Sequence, residues 1–184
     1  MSTKFTRRFA GLVGAGPSEW REIGDEREIA GGLSIQTNSE ATVATRWRVA
    51  TSPEYEGFGW DGRHLDLVVN EVDGVERRSL SIKDKTPDRI DAVMHWLVVM
   101  SADAPTQTSF NLGVGKKSGP YEVMARRAIS IGPEPTPLHI SLRADEVAAR
   151  FGDHGRRYRL NATFHGNGPL SLRVLDVRHC STPA

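Results

Sequence analysis

A chain of 184 residues and 20.3 kDa is the size of one domain and can bury an ordinary hydrophobic core, which excludes two full domains. Its 38% hydrophobic and 26% charged residues exclude a disordered, collagenous or coiled-coil chain, and a net charge of +1 argues against wholesale or specific nucleic-acid binding. One cysteine, Cys180, excludes an intramolecular disulfide framework, a zinc knuckle and a CxxC redox motif.

The N-terminal run Thr6-Arg7-Arg8-Phe9-Ala10-Gly11-Leu12-Val13-Gly14-Ala15-Gly16 has paired arginines before a short, glycine-rich apolar stretch, as in a twin-arginine export signal. Trp20, Arg21 and Glu22 follow too soon for a full apolar region and cleavage site, so a surface arm or short helix is the preferred reading. The glycines are in the wrong order for a dinucleotide-binding fingerprint. Residues 1–30 are read as this arm with its lead-in, and residues 31–184 as a single β-sandwich domain. A cytoplasmic location or an assembled particle is accordingly favoured over export. Arginine far outnumbers lysine among the 24 basic residues, which suits a GC-rich bacterial or phage genome.

Val43, Thr45, Trp47 and Val49 alternate with Ala44, Arg46, Arg48 and Ala50, which predicts a strand with Trp47 inward and both arginines on the other face. The run from His64 to Val72 meets Asp73-Gly74 and continues from Val75 to Ile82. Because Asp-Gly tolerates the positive φ angles of a type I′ turn, these two runs are predicted to form a hairpin. Thr86-Pro87-Asp88 resembles a helix start, whereas His95-Trp96-Leu97-Val98-Val99-Met100 is aromatic and β-branched on both faces. A helical turn near 87–91 followed by a buried strand accommodates both signals. The apolar run from Ala92 to Met100 is half the length of a membrane crossing, so no span is expected.

Further on, Thr106 to Val114 and Tyr121 to Ile131 flank a polar loop and read as paired strands. Gly132-Pro133-Glu134-Pro135-Thr136-Pro137 is a stiff connector between elements. Leu138 to Leu142 is a short strand, and Ala144 to Phe151 a short helix closed by Gly152. Tyr158 to Phe164, the loop 165–169 and Leu170 to Val174 read as a final hairpin. Eight to ten strands with connections too short for repeated βαβ crossovers define a mainly β fold. The expected form is an antiparallel β-sandwich, jelly-roll-like, with one or two short helices.

The chemistry is sparse. No GxSxG, HExxH, Walker A or EF-hand pattern occurs, so no catalytic residue or cofactor is assigned. The densest polar and aromatic cluster runs from Tyr55 to His64, and Tyr55, Trp60, Asp61, Arg63 and His64 are the candidate ligand-binding residues. A sugar ring can stack a C–H face on an indole or phenol while its hydroxyls bond to a carboxylate and a guanidinium. The competing reading is that Trp60 and Phe58 fold back to cap the sandwich. His64 with Asp61 and Asp66 is the best metal set, and its spacing equally fits a solvated edge, so no metal is assigned. Arg143, Arg150, Arg156, Arg157 and Arg159, with His154, form a basic stretch interrupted by Asp145, Glu146 and Asp153, as in an ion-paired face. Asn161-Ala162-Thr163 is a glycosylation triplet inside a predicted strand and is discounted.

These features favour a noncatalytic β-sandwich module that binds a glycan or mediates assembly with a protein partner in a larger phage or cell-surface complex. Two alternatives stay open. One is a small carbohydrate- or ester-acting, or cupin-like metal-dependent, enzyme using Asp61, His64 and Glu71. The other is a structural protein that self-associates as a homo-oligomer through edge strands and the N-terminal arm.

Overall fold

The computed structural model describes residues 4–23, 28–30, 33–37, 45–58, 60–70, 77–84, 93–116, 118–152, 156–166 and 168–182. They form helix α1 (Lys4–Ala15), short strands β1 (Arg21–Glu22) and β2 (Glu28–Ala30), then β3 (Leu33–Thr37) and β4 (Thr45–Thr51). After a single 3-10 turn at Pro53–Tyr55 come β5 (Arg63–Val69), β6 (Arg77–Asp84), β7 (Val93–Ala102), β8 (Thr106–Lys116) and β9 (Tyr121–Ile131). β10 (Thr136–Arg143), α2 (Ala144–Phe151), β11 (Arg156–His165) and β12 (Leu170–Thr182) complete the described order.

The strands form two six-stranded antiparallel sheets. The first has the order β1-β4-β5-β12-β7-β10 and the second β2-β3-β6-β11-β8-β9. This is the mainly β antiparallel sandwich that the alternation predicts, with twelve strands among the described residues where eight to ten were expected. Each central strand gives one face to a shared core, because side chains alternate across the pleat. From the first sheet come Leu65, Leu67, Trp96, Val98, Met100, Leu172 and Val174; from the second come Leu80, Ile82, Phe110, Leu112, Tyr158, Leu160 and Phe164. Phe9 and Val13 of α1, and Val147 and Phe151 of α2, join the same core.

Several local expectations hold. β4 keeps Trp47 packed against the core while Arg46 and Arg48 face away. β8 and β9 pair across their polar loop. α2 ends at Gly152, whose positive φ of +77° is a backbone conformation that glycine adopts without a Cβ clash. The segment 92–100 is strand from Val93 onward, and the helical turn expected at 87–91 lies outside the described residues. The stretch read as an arm contributes α1, β1 and β2, with β1 paired to β4 and β2 to β3.

Two pairings are corrected. The strands on either side of Asp73-Gly74 do not form a hairpin: β5 lies between β4 and β12 in the first sheet, and β6 between β3 and β11 in the second. The final pair likewise divides, with β11 between β6 and β8 and β12 between β5 and β7. Glycine, aspartate and proline serve a tight turn and a sheet-to-sheet corner alike, and alternation reports which face is buried without naming the neighbouring strand. The Asp-Gly turn chemistry is realised instead at Asp61-Gly62. There φ is +54° and +72°, and the Arg63 amide donates to the Trp60 carbonyl at 2.9 Å, closing the β4–β5 connection as a type I′ turn.

The core places a clear demand on side-chain volume. Phe110→Ala, at a position 1% exposed, is expected to lower unfolding free energy by about 3–5 kcal/mol, whereas Val123→Ala on the exposed edge strand stays within ~0.5 kcal/mol, as read by urea denaturation.

Candidate functional site

The five candidate residues from the 55–64 segment are divided by the fold. Tyr55 is buried and packs with Phe58 on Val99 and Leu175, covering part of the outer face of the first sheet. Trp60 is half-buried and meets Phe9 edge-on with ring centroids 6.1 Å apart, so it anchors α1. Asp61 is exposed at the turn. Arg63 is exposed and donates from Nη1 to the Gly14 carbonyl at 3.2 Å, satisfying a backbone acceptor at the end of α1. His64 is buried, with Nδ1 3.0 Å from the Gly62 carbonyl and Nε2 3.2 Å from Asp66 Oδ1. Only Asp61 and Arg63 are exposed, and each serves a local backbone feature.

His64 and Asp66 do share a face, as alternation requires. Asp66 also accepts from Arg48 Nε at 2.9 Å. Burial pushes the Asp66 carboxyl up, but hydrogen bonds from His64 and Arg48 outweigh it and hold the group below its usual 3.8. Asp176 goes the other way. Burial raises it more than Arg178, the Val177 amide and the Trp60 side chain lower it. Glu71, paired with Asp61 and His64 in the enzyme reading, lies outside the described residues. Among the described residues no three His, Cys, Asp or Glu side chains gather as metal ligands.

The basic stretch 143–159 is also dispersed. Arg143 bonds Asp145 at 2.8 Å and Arg150 reaches Glu122 at 2.6 Å, both exposed ion pairs. Arg157 and Arg159 sit apart from them on the outer face of the second sheet, which is where polar side chains concentrate.

That face is built by register. Tyr121 and Arg157 flank Gly115 from opposite sides, and Val123 and Arg159 flank Gly113. With no side chain on β8 between them, the Tyr121 ring and the arginines meet: Cζ of Arg157 lies 5.0 Å and that of Arg159 5.6 Å from the ring centroid. A Cβ at Gly115 would stand 2.7 Å from the Pro120 carbonyl oxygen, so only glycine fits beside the ring. Arg157 is held from below, with Nε donating to the Lys116 carbonyl at 3.0 Å and Nη2 to that of Gly119 at 2.7 Å. Burial pulls the Arg159 guanidinium down from its usual range, opposed by Tyr121.

The next row runs Ser81, Asn161, Asn111, Arg126 across β6, β11, β8 and β9. Arg159 Nη2 donates to Ser81 Oγ at 2.8 Å, Ser81 donates to Asn161 Oδ1 at 2.6 Å, and Asn161 Nδ2 donates to Thr163 Oγ1 at 3.2 Å. Thr163 meets Ser79 at 3.2 Å, and Arg126 Nε donates to Asn111 Oδ1 at 2.8 Å. The face thus presents amides, hydroxyls and guanidiniums in fixed orientation around one aromatic ring. Ser109 Oγ lies 3.3 Å from His165 Nε2, but among the described residues no carboxylate orients that imidazole, so the pair lacks the third member of a nucleophilic triad. Sequence reasoning missed this surface. Its signals were Arg157, Arg159, Asn161 and Thr163 alternating on β11 and the Gly113/Gly115 spacing on β8.

No protein-family model matches the chain, and no curated protein matches it in sequence. Solved structures match its shape. A family 11 carbohydrate-binding module from Clostridium thermocellum, in complex with a beta-1,3-1,4-mixed-linked tetrasaccharide, superposes with a TM-score of 0.52 at 9% identity, covering 92% of this chain and 98% of that one. An exo-beta-agarase matches with a TM-score of 0.55 at 11% identity, covering 91% of this chain and 26% of that one. The enzymatically active domain of bacteriophage CBA120 tailspike protein 4 matches with a TM-score of 0.50 at 12% identity, covering 98% of this chain and 21% of that one. At such identities the likeness shows the fold alone: this chain is an antiparallel β-sandwich of the jelly-roll type, with a polar outer face on its second sheet.

The Asp66 network yields a signed pH test. A carboxyl held low in the fold stabilises above its unfolded pKa, and that stabilisation is lost as pH falls through the folded value. Asp66→Asn is therefore expected to destabilise by about 1–3 kcal/mol at pH 7, with the gap to the unchanged protein closing in acid below the usual carboxylate range. Asp176→Asn, where burial opposes the charge, loses none of its stability by this route. Chemical denaturation at neutral and acidic pH measures both.

Proposed function

We propose that this chain is a noncatalytic glycan-binding module that holds a saccharide chain on the outer face of its second sheet. The observation that supports it is the Tyr121 ring, set over Gly113 and Gly115 beside Arg157, Arg159, Asn161 and Asn111. The ring supplies apolar area for a sugar C–H face, and the amides and guanidiniums supply directional bonds to hydroxyls. Their mutual hydrogen bonds fix the side chains before a ligand arrives, which lowers the ordering cost of binding. The sandwich shared with the Clostridium thermocellum module, whose complex contains a mixed-linked tetrasaccharide, supports the same class of ligand.

Affinity electrophoresis against a polysaccharide panel that includes mixed-linked β-glucan and agarose tests the reading, followed by calorimetry on any hit. Tyr121→Ala and Asn161→Ala are each expected to weaken binding about tenfold, the equivalent of ~1–2 kcal/mol of stacking and hydrogen bonding. Asp61→Ala and Arg63→Ala leave it unchanged on this reading. Loss of binding in the latter pair alone would return the site to the 55–64 segment, and turnover of a polysaccharide would replace a binding role with an enzymatic one.

A further inference from the structure

The opposite face of the sandwich carries a second aromatic surface that the proposed site does not use. Among the described residues Trp20 and Val123 are the exposed large hydrophobic side chains, and Trp20, at 36% exposure, borders a cleft of about 110 Å³. The cleft is lined by Trp20, Arg48, Asp66, Asp103, Ser171 and Arg173, with apolar contributions from β5 and β12.

The indole is held in place. β1 pairs with β4 so that Arg21 is opposite Trp47, which brings the preceding Trp20 beside Arg48. Arg48 Cζ lies 4.6 Å and Arg46 Cζ 5.4 Å from the ring centroid. Arg48 is fixed in turn by Asp66 at 2.9 Å, and Asp66 by His64. On the other wall Arg173 Nη2 lies 2.7 Å from Asp103 Oδ1 and its Nε 3.9 Å from Asp66 Oδ1. The Asp103 amide donates to the Ser171 carbonyl at 3.2 Å, tying that wall to β12. Guanidiniums and carboxylates therefore alternate along the cleft, each already facing its opposite charge.

We infer that this cleft is a binding subsite for one uncharged sugar ring, separate from the face around Tyr121. An anionic ligand entering it meets Asp66 and Asp103, and a cationic one meets Arg48 and Arg173. A neutral polyol meets neither penalty. Two adjacent hydroxyls can donate to Asp103 and accept from Arg173 without separating the pair, while the ring contacts the indole. The cleft is smaller than the ~300–1,000 Å³ of sites that enclose drug-sized ligands, which suits a single terminal unit rather than an extended chain.

The test is a titration of the full-length chain with D-glucose, D-galactose and D-mannose at millimolar concentrations, read on the tryptophan indole N–H resonances. The Trp20 signal is identified by its absence in Trp20→Ala. The expected result is a saturable shift of that signal with at least one of the three sugars. Binding weakens about tenfold in Asp103→Ala, which removes an exposed side chain, and is unchanged in Tyr121→Ala. Three results overturn the proposal: no saturable shift with any neutral sugar, a shift produced only by glucuronate or glucosamine, or full binding in Asp103→Ala. Because the Tyr121 face is probed with polysaccharides and different variants, failure of either site leaves the other result readable.

Discussion

Everything on the surface of this protein depends on the packing of two antiparallel sheets onto one core. β7, β11 and β12 each commit every second residue to that core, from Trp96 and Val98 through Tyr158 and Leu160 to Leu172 and Val174. The intervening residues then have only the outer faces to occupy. The burial of large side chains such as Trp96, Phe110, Tyr158 and Phe164 supplies the dominant stabilisation, and it also sets the pleat that aligns polar residues in rows. Ser81, Asn161, Asn111 and Arg126 form a row because Leu80, Ile82, Leu160, Ala162, Phe110 and Leu112 are buried on the other side of the same strands.

The two outer faces use this geometry differently. On the first sheet the β4–β5 connection folds down, placing Tyr55 and Phe58 on Val99 and Leu175, and the remaining polar groups pair closely around Asp66. The cleft beside Trp20 opens between these pairs. On the second sheet the outer rows lie across β6, β11, β8 and β9, and glycine at 113 and 115 creates a floor on which Tyr121 meets two arginines. The first face thus carries a charge-balanced cleft beside Trp20 and, on β7 and β10, the stacked His95–His139 pair, while the other spreads hydrogen-bonding groups over several strands.

The aromatic cluster at 55–64 shows why composition alone leaves two readings of a loop open. Glycine, aspartate and aromatic residues occur together in ligand-binding loops, and they occur together in connections that must turn sharply and then cover a sheet. Asp61 and Gly62 form the turn, Trp60 packs on Phe9, and Arg63 binds the end of α1. The competing reading, that the aromatics fold back, describes Tyr55, Phe58 and Trp60. Conversely Tyr121 and Asn111 drew no attention, and Asn161 only as a discounted glycosylation triplet, because these residues are scattered over fifty residues of chain and meet only through strand register.

The sequence by itself determined the local pattern from β4 onward: which segments are strands, which of their faces is buried, where α2 ends at Gly152, and that the result is an antiparallel sandwich. Those properties follow from alternation, turn residues and helix capping, each acting within a few residues. Tertiary structure alone decided that β5 and β6, and β11 and β12, belong to different sheets. It also decided that Arg173 of β12 approaches Asp66 of β5, and that Tyr121 faces Arg157 and Arg159 across Gly115 and Gly113. These are contacts between strands far apart in the chain, selected by burying both sheets against one core, and no short-range periodicity encodes the choice of partner.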